Sequence, residues 1–186
     1  YIMHMLPITS LQNPTIKVIR SLCEESGRRD HNLWVAEGFT MLERALARGW
    51  RPEHLVATKP VHIWDDVKPL IVSEKIMSEL SAQNNPHDVL ATFAPRWFTQ
   101  PEKNGPVLAL EEIRDPGNLG TILRTADAAG FGSVVLAGDC CDPFSPECVR
   151  ASTGSIFAAS LSRMPSNKLV DLIRDRANSV GARWAA

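Results

Sequence analysis

The sequence has no excess of basic residues and no apolar run long enough to span a membrane. It carries 20 Lys and Arg against 21 Asp and Glu. The balance holds along the chain, with 12 basic and 12 acidic residues in 1–105, then 8 and 9 in 106–186. Bulk charge therefore does not indicate a nucleic-acid partner, and any such surface must be a local patch. A membrane span needs roughly 18 apolar residues, so we expect a soluble, cytoplasmic protein with no membrane partner.

Metal-binding and secretion patterns are also missing. The four cysteines are Cys23, Cys140, Cys141 and Cys148, and they show no C-x-x-C spacing. The five histidines form neither H-x-x-x-H nor H-E-x-x-H. We expect reduced, structurally passive thiols and no metal site. The start, YIMHMLPITS, lacks the charged region and apolar core of a secretory signal.

Two series of alternating helix and strand patterns are present, separated by a proline-rich segment. The segment APRWFTQPEKNGP has three prolines and a glycine, so it cannot continue a helix or a central strand. We therefore predict an α/β domain in residues 1–94, a linker in 95–105 and a second α/β domain in 106–186. The chain is 44% hydrophobic, which is enough for a packed core.

The second domain begins with a βαβ pattern. Strands are predicted at Pro106–Ile113 and Ser133–Gly138, with a helix over Leu119–Ala129 between them. Two apolar strands joined through a helix predict parallel pairing and a right-handed crossover. A last amphipathic helix is predicted over Asn167–Gly181, and Trp184 is expected to begin the next strand.

The helix over Leu119–Ala129 has two different faces. The apolar stripe expected to face the sheet consists of Leu119, Ile122, Leu123 and Ala126. Gly120, Arg124 and Asp127 lie on another face. Long helical side chains lean toward the N-terminus, so we expect the Arg124 guanidinium above Gly120, whose missing side chain leaves room. With Asn118 as a candidate N-cap and the free N–H groups of the helix start, this predicts an anion or ribose-phosphate site.

A purely structural interpretation of the same residues stays open. In it Asn118 only caps the helix, Gly120 only packs, and Arg124 only pairs with Asp127 at i+3. Any βαβ unit needs a turn of this kind, and the nucleotide-binding patterns G-x-G-x-x-G and G-x-x-x-x-G-K-[ST] are absent. The helix pattern alone therefore does not establish a site.

Two motifs resemble signatures of the SpoU (TrmH-like) RNA 2′-O-ribose methyltransferases, which belong to the SPOUT superfamily of knotted methyltransferases. The first has the spacing N-x-G-x-x-x-R-T-A-x-x-x-G and consists of Asn118, Gly120, Arg124, Thr125, Ala126 and Gly130. The second lies in DPFSPECVRASTGSIF and consists of Pro146, Arg150, Ala151, Ser152, Gly154 and Phe157. The two signatures occur in the family's order, which makes the resemblance far more specific than one short motif.

The N-terminal part is similar to the family's substrate-binding domain, which has a ribosomal-protein L30e-like fold. The matching pieces are ITSLQNPTIKVIRSL, RRDHNLWVAEGFTMLERALARG and VLATF. The resemblance implies a small L30e-like α/β domain followed by a parallel-sheet SPOUT methyltransferase domain with a trefoil knot.

Two further signatures of the family, a G-x-E-x-x-G loop and an S-L-N-V-type helix start, do not occur before Ala186. They form the knot and most of the S-adenosylmethionine pocket. We therefore expect the second domain to be incomplete at its C-terminus, the cofactor contacts to lie mostly beyond Ala186, and the chain as written to be inactive alone.

The resemblance implies S-adenosylmethionine-dependent methylation of a ribose 2′-hydroxyl in RNA, with ribosomal RNA the first expectation and transfer RNA the second, and a homodimer. It assigns catalysis to Arg124, which interacts with the hydroxyl, and to Asn118, which orients the site. Arginine stays protonated at neutral pH and is a poor base. We therefore favour stabilisation of developing alkoxide charge and a clamp on the adjacent phosphate. Deprotonation by a neutral arginine stays an energetically costly alternative.

The candidate RNA-binding residues are Gly120, Arg150, Ser152, Arg28, Arg29 and Lys17. Each basic residue among them also has an alternative role that involves no RNA. Arg150 can form an ion pair with Glu147 at i−3, and the three basic residues of the N-terminal domain are equally compatible with a solvated face.

Two other functions compete with the enzyme. One is a non-catalytic protein whose first domain grips structured RNA while the methyltransferase-like half is inert. The other is a generic nucleotide-binding α/β domain, which the missing dinucleotide and P-loop motifs disfavour.

Overall fold

Two separate sheets organise the chain in the computed structural model, which describes residues 7–102 and 105–180, with side chains described as far as 176. The helices are α1 (Pro14–Ser21), α2 (Glu25–His31), α3 (Phe39–Ala47), α4 (Glu74–Leu80), α5 (Pro116–Ala128), α6 (Pro146–Ser152) and α7 (Ser166–Val180). The strands are β1 (Trp34–Glu37), β2 (His54–Ala57), β3 (Leu70–Ile71), β4 (Val89–Phe93), β5 (Val107–Glu111), β6 (Ser133–Ala137) and β7 (Ser160–Met164). Trp184, predicted to begin a further strand, lies outside the described residues.

The N-terminal sheet is mixed and has the strand order β1-β4-β2-β3. Strand β4 pairs antiparallel with both β1 and β2, while β2 and β3 are parallel. Every residue of β4 is buried, as its central position requires. Helices α1 and α4 cover one face of this sheet through Ile16, Ile19, Ile76 and Leu80, which all lie in one apolar cluster.

The C-terminal sheet is parallel and has the order β5-β6-β7. The predicted parallel pairing of the first two strands is therefore confirmed. Central strand β6 is buried along its whole length, whereas β5 is half-exposed. Helix α5 connects β5 to β6, and α6 with a turn of 3₁₀ helix at Ser155–Phe157 connects β6 to β7.

Helix α5 begins three residues earlier than predicted. Its N-cap is Asp115, whose Oδ1 accepts a hydrogen bond of 2.6 Å from the backbone N–H of Asn118. Pro116 occupies the first helical position, where its missing N–H costs nothing. The prediction of Asn118 as the N-cap is therefore wrong, because Asp is an equally good capping residue and stands where the chain leaves the strand.

Part of the segment predicted as a linker lies against the second sheet. Trp97 bridges Leu161 of β7 in parallel register, and the Phe98 N–H donates to the Leu161 carbonyl at 2.8 Å. Upstream, the Arg96 guanidinium lies 4.1 Å from the ring centroid of Trp50 and donates to the Gly49 carbonyl at 3.0 Å. The segment is thus fixed to both halves.

One aromatic cluster is shared by the two halves. Fully buried Trp34 of the first sheet lies at ring-centroid distances of 5.4 Å from Phe93, 5.3 Å from Phe144 and 5.2 Å from Phe157. The Trp50 indole N–H donates to the Phe157 carbonyl at 2.9 Å. Aromatic pairs at these distances contribute beyond their buried area, so the two sheets are held in one arrangement.

All four cysteines are free thiols, and Cys140 and Cys148 are buried. Burial raises the pKa of the Cys148 thiol, which keeps it unreactive. Within the described ranges no group of His, Cys, Asp and Glu side chains could hold a metal ion. No helix in the same ranges combines the length and apolarity needed to cross a membrane.

Candidate functional site

The first turn of α5 presents an unbonded amide side chain. Asn118 occupies the third helical position and is exposed. Since Asp115 caps the helix, the Asn118 side chain makes no hydrogen bond within the described part of the chain. An exposed amide with free donors and acceptors is able to orient a bound sugar or phosphate.

Arg124 lies one and a half turns further along α5 and is exposed. The alternative prediction, an ion pair with Asp127, is wrong. Asp127 instead accepts a hydrogen bond of 2.9 Å from the Ser155 hydroxyl and lies 3.4 Å from the guanidinium of Arg48. Among the described residues Arg124 has no hydrogen-bond or ion-pair partner, so its planar fork is available to an anion.

Gly120 lies at the contact between α5 and α6 and is buried. A Cβ atom there would stand 2.4 Å from the Cys148 carbonyl oxygen, 2.6 Å from the Ala151 Cβ and 2.9 Å from the Ser152 nitrogen. The space beside Gly120 is therefore filled by the backbone of α6. The expectation that this glycine leaves room for RNA is corrected, because it is close helix packing that requires it.

Ser152 is also inside the protein. Its side chain is fully buried, and its hydroxyl donates to the Val149 carbonyl at 2.7 Å. A hydroxyl bonded within its own helix is not available to RNA. The prediction of Ser152 as an RNA-binding residue is therefore wrong for the structure described.

Arg150 of α6 is exposed, unlike Ser152, the motif residue two positions further along the helix. The ion pair with Glu147 proposed as its alternative role does not form within the described part of the chain. Helix α6 thus keeps one motif residue inside and presents a second, positively charged one at the surface.

Arg28 is a structural residue and not a surface contact. Its side chain is 9% exposed, and its Nε donates to Asp142 Oδ2 at 2.7 Å. Its Nη1 donates to the carbonyl oxygens of Leu22 and Cys23 at 2.9 and 3.0 Å. These bonds occupy the guanidinium and tie α2 to the loop after β6, so the prediction that Arg28 contacts the RNA backbone is wrong.

Arg29 and Lys17 are exposed, as an RNA contact requires. The Arg29 guanidinium lies 3.8 Å from the Asp30 carboxylate, and Lys17 on α1 has no bonded partner in the described ranges. Arg29 lines a cleft of about 660 Å³ together with Arg114 and Arg163, and neither Lys17 nor Arg124 lines it. The structure therefore does not gather the predicted basic residues around one cavity.

Sequence analysis missed a charged network at the carboxyl ends of β5 and β6. The Glu112 carboxylate accepts from the Asp139 N–H at 2.8 Å and from the Arg114 guanidinium at 2.6 Å, and that guanidinium lies 3.0 Å from the Asp139 carboxylate. The hydrogen bond from the Asp139 N–H lowers the pKa of Glu112, and the hydrogen bond from Arg114 lowers it further. The network fixes the turn that leads into α5.

Gly138 is required by this network. It has φ +66°, and a Cβ atom would stand 2.3 Å from the Glu112 carboxylate. The sequence does contain a signal for this network, namely the charged run E-E-I-R-D at 111–115 and the glycine at the end of the next strand. No spacing rule for charged residues connects positions so far apart in the chain.

Two family models match the chain. The model of the SpoU rRNA Methylase family matches residues 105–183, and that of the MRM3-like substrate binding domain matches residues 13–91. The first therefore includes α5 and α6 with both motifs, and the second includes the mixed sheet.

Curated relatives and solved structures agree with these matches. An uncharacterized tRNA/rRNA methyltransferase of Synechocystis is 37% identical over 80% of this chain and 58% of its own length. The 23S rRNA (guanosine(2553)-2′-O)-methyltransferase RlmP of Bacillus subtilis is 30% identical over 91% of this chain and 70% of its own length. The crystal structure of an AdoMet-bound rRNA methyltransferase from Sinorhizobium meliloti superposes with a TM-score of 0.81 at 36% identity, covering 92% of this chain and 69% of that one.

Proposed function

Since the chain belongs to the SpoU rRNA methylase family, we propose that it transfers a methyl group from S-adenosylmethionine to a ribose 2′-hydroxyl of RNA, with ribosomal RNA as the substrate. The observation that carries the proposal is the exposed guanidinium of Arg124 on α5, which lies at the arginine position of the first motif and has no partner among the described residues. The side-chain amide of Asn118 on the same helix, likewise unbonded in the described ranges, supports it.

The part of Arg124 follows from its charge and shape. The hydroxyl proton passes to solvent water as the 2′ oxygen gains the methyl group, and a guanidinium held nearby stabilises the negative charge that develops on that oxygen without giving up its own proton. Its second N–H pair can bind the adjacent phosphate, which fixes the ribose. Asn118 orients the sugar through its side-chain amide.

The cofactor supplies an electrophilic methyl group when bound. The two large clefts in the described part of the chain are lined by neither Asn118 nor Arg124. These clefts therefore do not fit the cofactor beside the reacting hydroxyl. Its contacts stay a prediction for residues outside the described ranges.

The test is methyl transfer from labelled S-adenosylmethionine to ribosomal RNA by the full-length protein. The Arg124→Ala variant should lose about 10²-fold in kcat, while the remote variant Arg51→Ala stays active. RNA binding without methyl transfer by the wild type would support the non-catalytic RNA-binding protein instead.

Finer features of the fold and assembly belong to the same proposal. We infer an L30e-like domain in 1–94, a linker in 95–105 and a knotted methyltransferase domain in 106–186, acting in the cytoplasm as a homodimer. The mixed four-stranded sheet and the parallel three-stranded sheet are compatible with the two domains. Light scattering of the full-length protein tests the dimer. Of the predicted RNA contacts, Arg150, Arg29 and Lys17 stay in the proposal because they are exposed.

A further inference from the structure

A cleft of about 440 Å³ separates the N-terminal half from α6. The N-terminal wall is the junction of β1 and α3, and the opposite wall is one side of α6. The lining includes Gly38, Phe39 and Met41 on the first side and Val149, Arg150 and Thr153 on the second. The cleft thus joins the region that matches the substrate-binding model to the region that matches the methylase model.

The N-terminal wall is held by three hydrogen bonds to one carboxylate. The Glu37 carboxylate accepts from the Ser81 hydroxyl at 2.7 Å, the Ala82 N–H at 3.1 Å and the Gln83 side-chain amide at 3.2 Å. These bonds hold the loop after α4 against the end of β1. Glu37 is the one acidic residue of the described lining, and three donors already face its carboxylate. The cleft is therefore pre-formed.

Four polar side chains in the lining have no hydrogen-bond partner within the described residues. They are Thr40, His87, Arg150 and Thr153. Gly38 has φ +93°, and an added Cβ would lie 3.3 Å from the His87 ring, so a glycine here lets that ring close the wall. The cleft combines mostly apolar walls with hydroxyls, an imidazole and a guanidinium, which is the usual composition of a small-ligand site.

Phe39 stands in this wall at the start of α3, with 43% of its surface exposed. The Phe39 ring is therefore not a core side chain. It lines the same cleft as the exposed guanidinium of Arg150, and this combination suits a nucleotide. The base stacks on the aromatic ring, and the guanidinium binds the phosphate. A volume of about 440 Å³ lies within the range of about 300–1,000 Å³ typical of ligand pockets.

We infer that this cleft binds one unpaired nucleotide of the substrate RNA, a different one from the nucleotide that is methylated. No residue of α5 lines the cleft in the described part of the chain, so a base held there does not place its own ribose at Arg124. The inference rests on the proposed function and adds a second point of contact, which selects RNA with an unpaired base at a fixed distance from the reacting ribose.

The first experiment is photo-crosslinking of the full-length protein to a hairpin RNA that carries 4-thiouridine in its unpaired loop. Mass spectrometry should find nucleotide adducts on peptides containing Phe39 and Met41 or Arg150. Adducts confined to peptides outside the cleft overturn the inference. The inference is also overturned if the unlabelled hairpin does not reduce crosslinking at the cleft while a protein extract freed of RNA does. That result would indicate a protein partner.

The second experiment measures affinity for the same RNA by fluorescence anisotropy. Phe39→Ala and Arg150→Gln should each weaken binding about tenfold. Leu46→Ala removes another exposed apolar side chain of α3, and Arg51→Gln removes another exposed charge, so both should bind like the wild type. Thermal unfolding checks that each variant is folded. Thr40→Val, which removes a hydroxyl without changing shape, provides an independent variant.

Methyl-transfer assays separate the two proposals. If the wild type methylates ribosomal RNA and both cleft variants keep its KM and affinity, the cleft inference fails and the proposed function stands. If the wild type crosslinks through the cleft and transfers no methyl group, the proposed function fails, and of the cleft inference only the binding of an unpaired nucleotide stands. A raised KM with unchanged kcat in both variants supports both.

Discussion

The side chains of Arg28 and Asp142 join the two halves of the chain through a 2.7 Å bond between Nε and Oδ2. The pair lies beside the aromatic cluster around Trp34, and Asp142 Oδ1 also accepts from the Phe144 N–H at 2.9 Å. An ionic contact and a shared apolar core thus fix the orientation of the mixed sheet relative to the parallel sheet. Under the proposed function, this contact would set the distance between RNA recognition in one half and methyl transfer in the other.

Breaking this pair should destabilise the protein. Arg28→Met leaves the Asp142 carboxylate, which is 23% exposed, without its cation. It also leaves the carbonyl oxygens of Leu22 and Cys23 without their hydrogen-bond donor. We expect a loss of about 3 kcal/mol in the free energy of unfolding by urea at pH 7.

The matched control is Arg20→Met, which removes an arginine paired with Glu79 at 3.4 Å between side chains that are 55% and 41% exposed. It should cost less than about 1 kcal/mol. Equal effects of the two substitutions would show that the contact between the halves adds no more stability than an exposed ion pair.

Gly120→Ala tests the packing assigned to this glycine. Alanine favours a helix by about 1 kcal/mol over glycine, but its Cβ would meet the backbone of Cys148 at 2.4 Å, and backbone cannot move aside cheaply. We expect a net destabilisation of about 2 kcal/mol by chemical denaturation.

Gly132→Ala is the control, because no atom lies within 4 Å of the added Cβ and its φ is not in the left-handed region. This variant should unfold within about 0.5 kcal/mol of the wild type. If Gly120→Ala were as stable as the wild type, α5 and α6 would not need their close approach.

The helix start offers a comparison between capping and function. Asp115→Ala removes the acceptor of the 2.6 Å bond and should cost about 1 kcal/mol of stability. Asn118→Ala removes a side chain that bonds to nothing described, so stability should not change while methyl transfer falls. Thermal unfolding and kinetics of both variants check this. Loss of stability in Asn118→Ala with full activity would reverse the two assignments.

The elements of this fold were predictable where local signals agreed. The apolar stripe of α5 and the amphipathic pattern over Asn167–Gly181 predicted helices in the right places, because periodicity is a local property. The choice between Asp115 and Asn118 was not decidable, since both are good N-caps.

Side-chain partners that are distant in sequence could not be predicted. Arg28 was indistinguishable from Arg29 beside it, and its partner is 114 positions away. The missing side chain of Gly120 indicated a close approach, but whether a ligand or a helix approached depended on where α6 packs. Local pattern therefore located the functional helix and misjudged the residues whose role is tertiary.

The Glu112 network should make stability depend on pH. The folded-state pKa of the Glu112 carboxyl is lowered by the hydrogen bond from the Asp139 N–H and by Arg114. A carboxyl with a depressed folded pKa stabilises the fold above its unfolded pKa of about 4.3 and loses that contribution as pH falls through the folded value. The melting temperature of Glu112→Gln should therefore be lower than that of the wild type at pH 7, and the two should converge only as the pH falls below the lowered folded-state pKa of Glu112.

Glu43→Gln is the control for this titration, because Glu43 is exposed and has no bonded partner within the described residues. It should melt like the wild type across the same pH range. A gap between Glu112→Gln and the wild type that stayed constant down to acid pH, with no narrowing as the carboxyl is protonated, would show that the network acts through shape and not through charge.

The role of Arg124 rests on its planar fork as well as on its charge. Arg124→Lys keeps the positive charge but loses the paired N–H groups that, under the proposed function, contact the 2′ oxygen and a phosphate together. Because the side chain is exposed and unpaired among the described residues, folding should be unaffected. We expect kcat to fall at least tenfold, less than the roughly 10²-fold loss for alanine, with KM changed less than kcat. Full activity in Arg124→Lys would mean that a point charge suffices and that the fork geometry has no catalytic part.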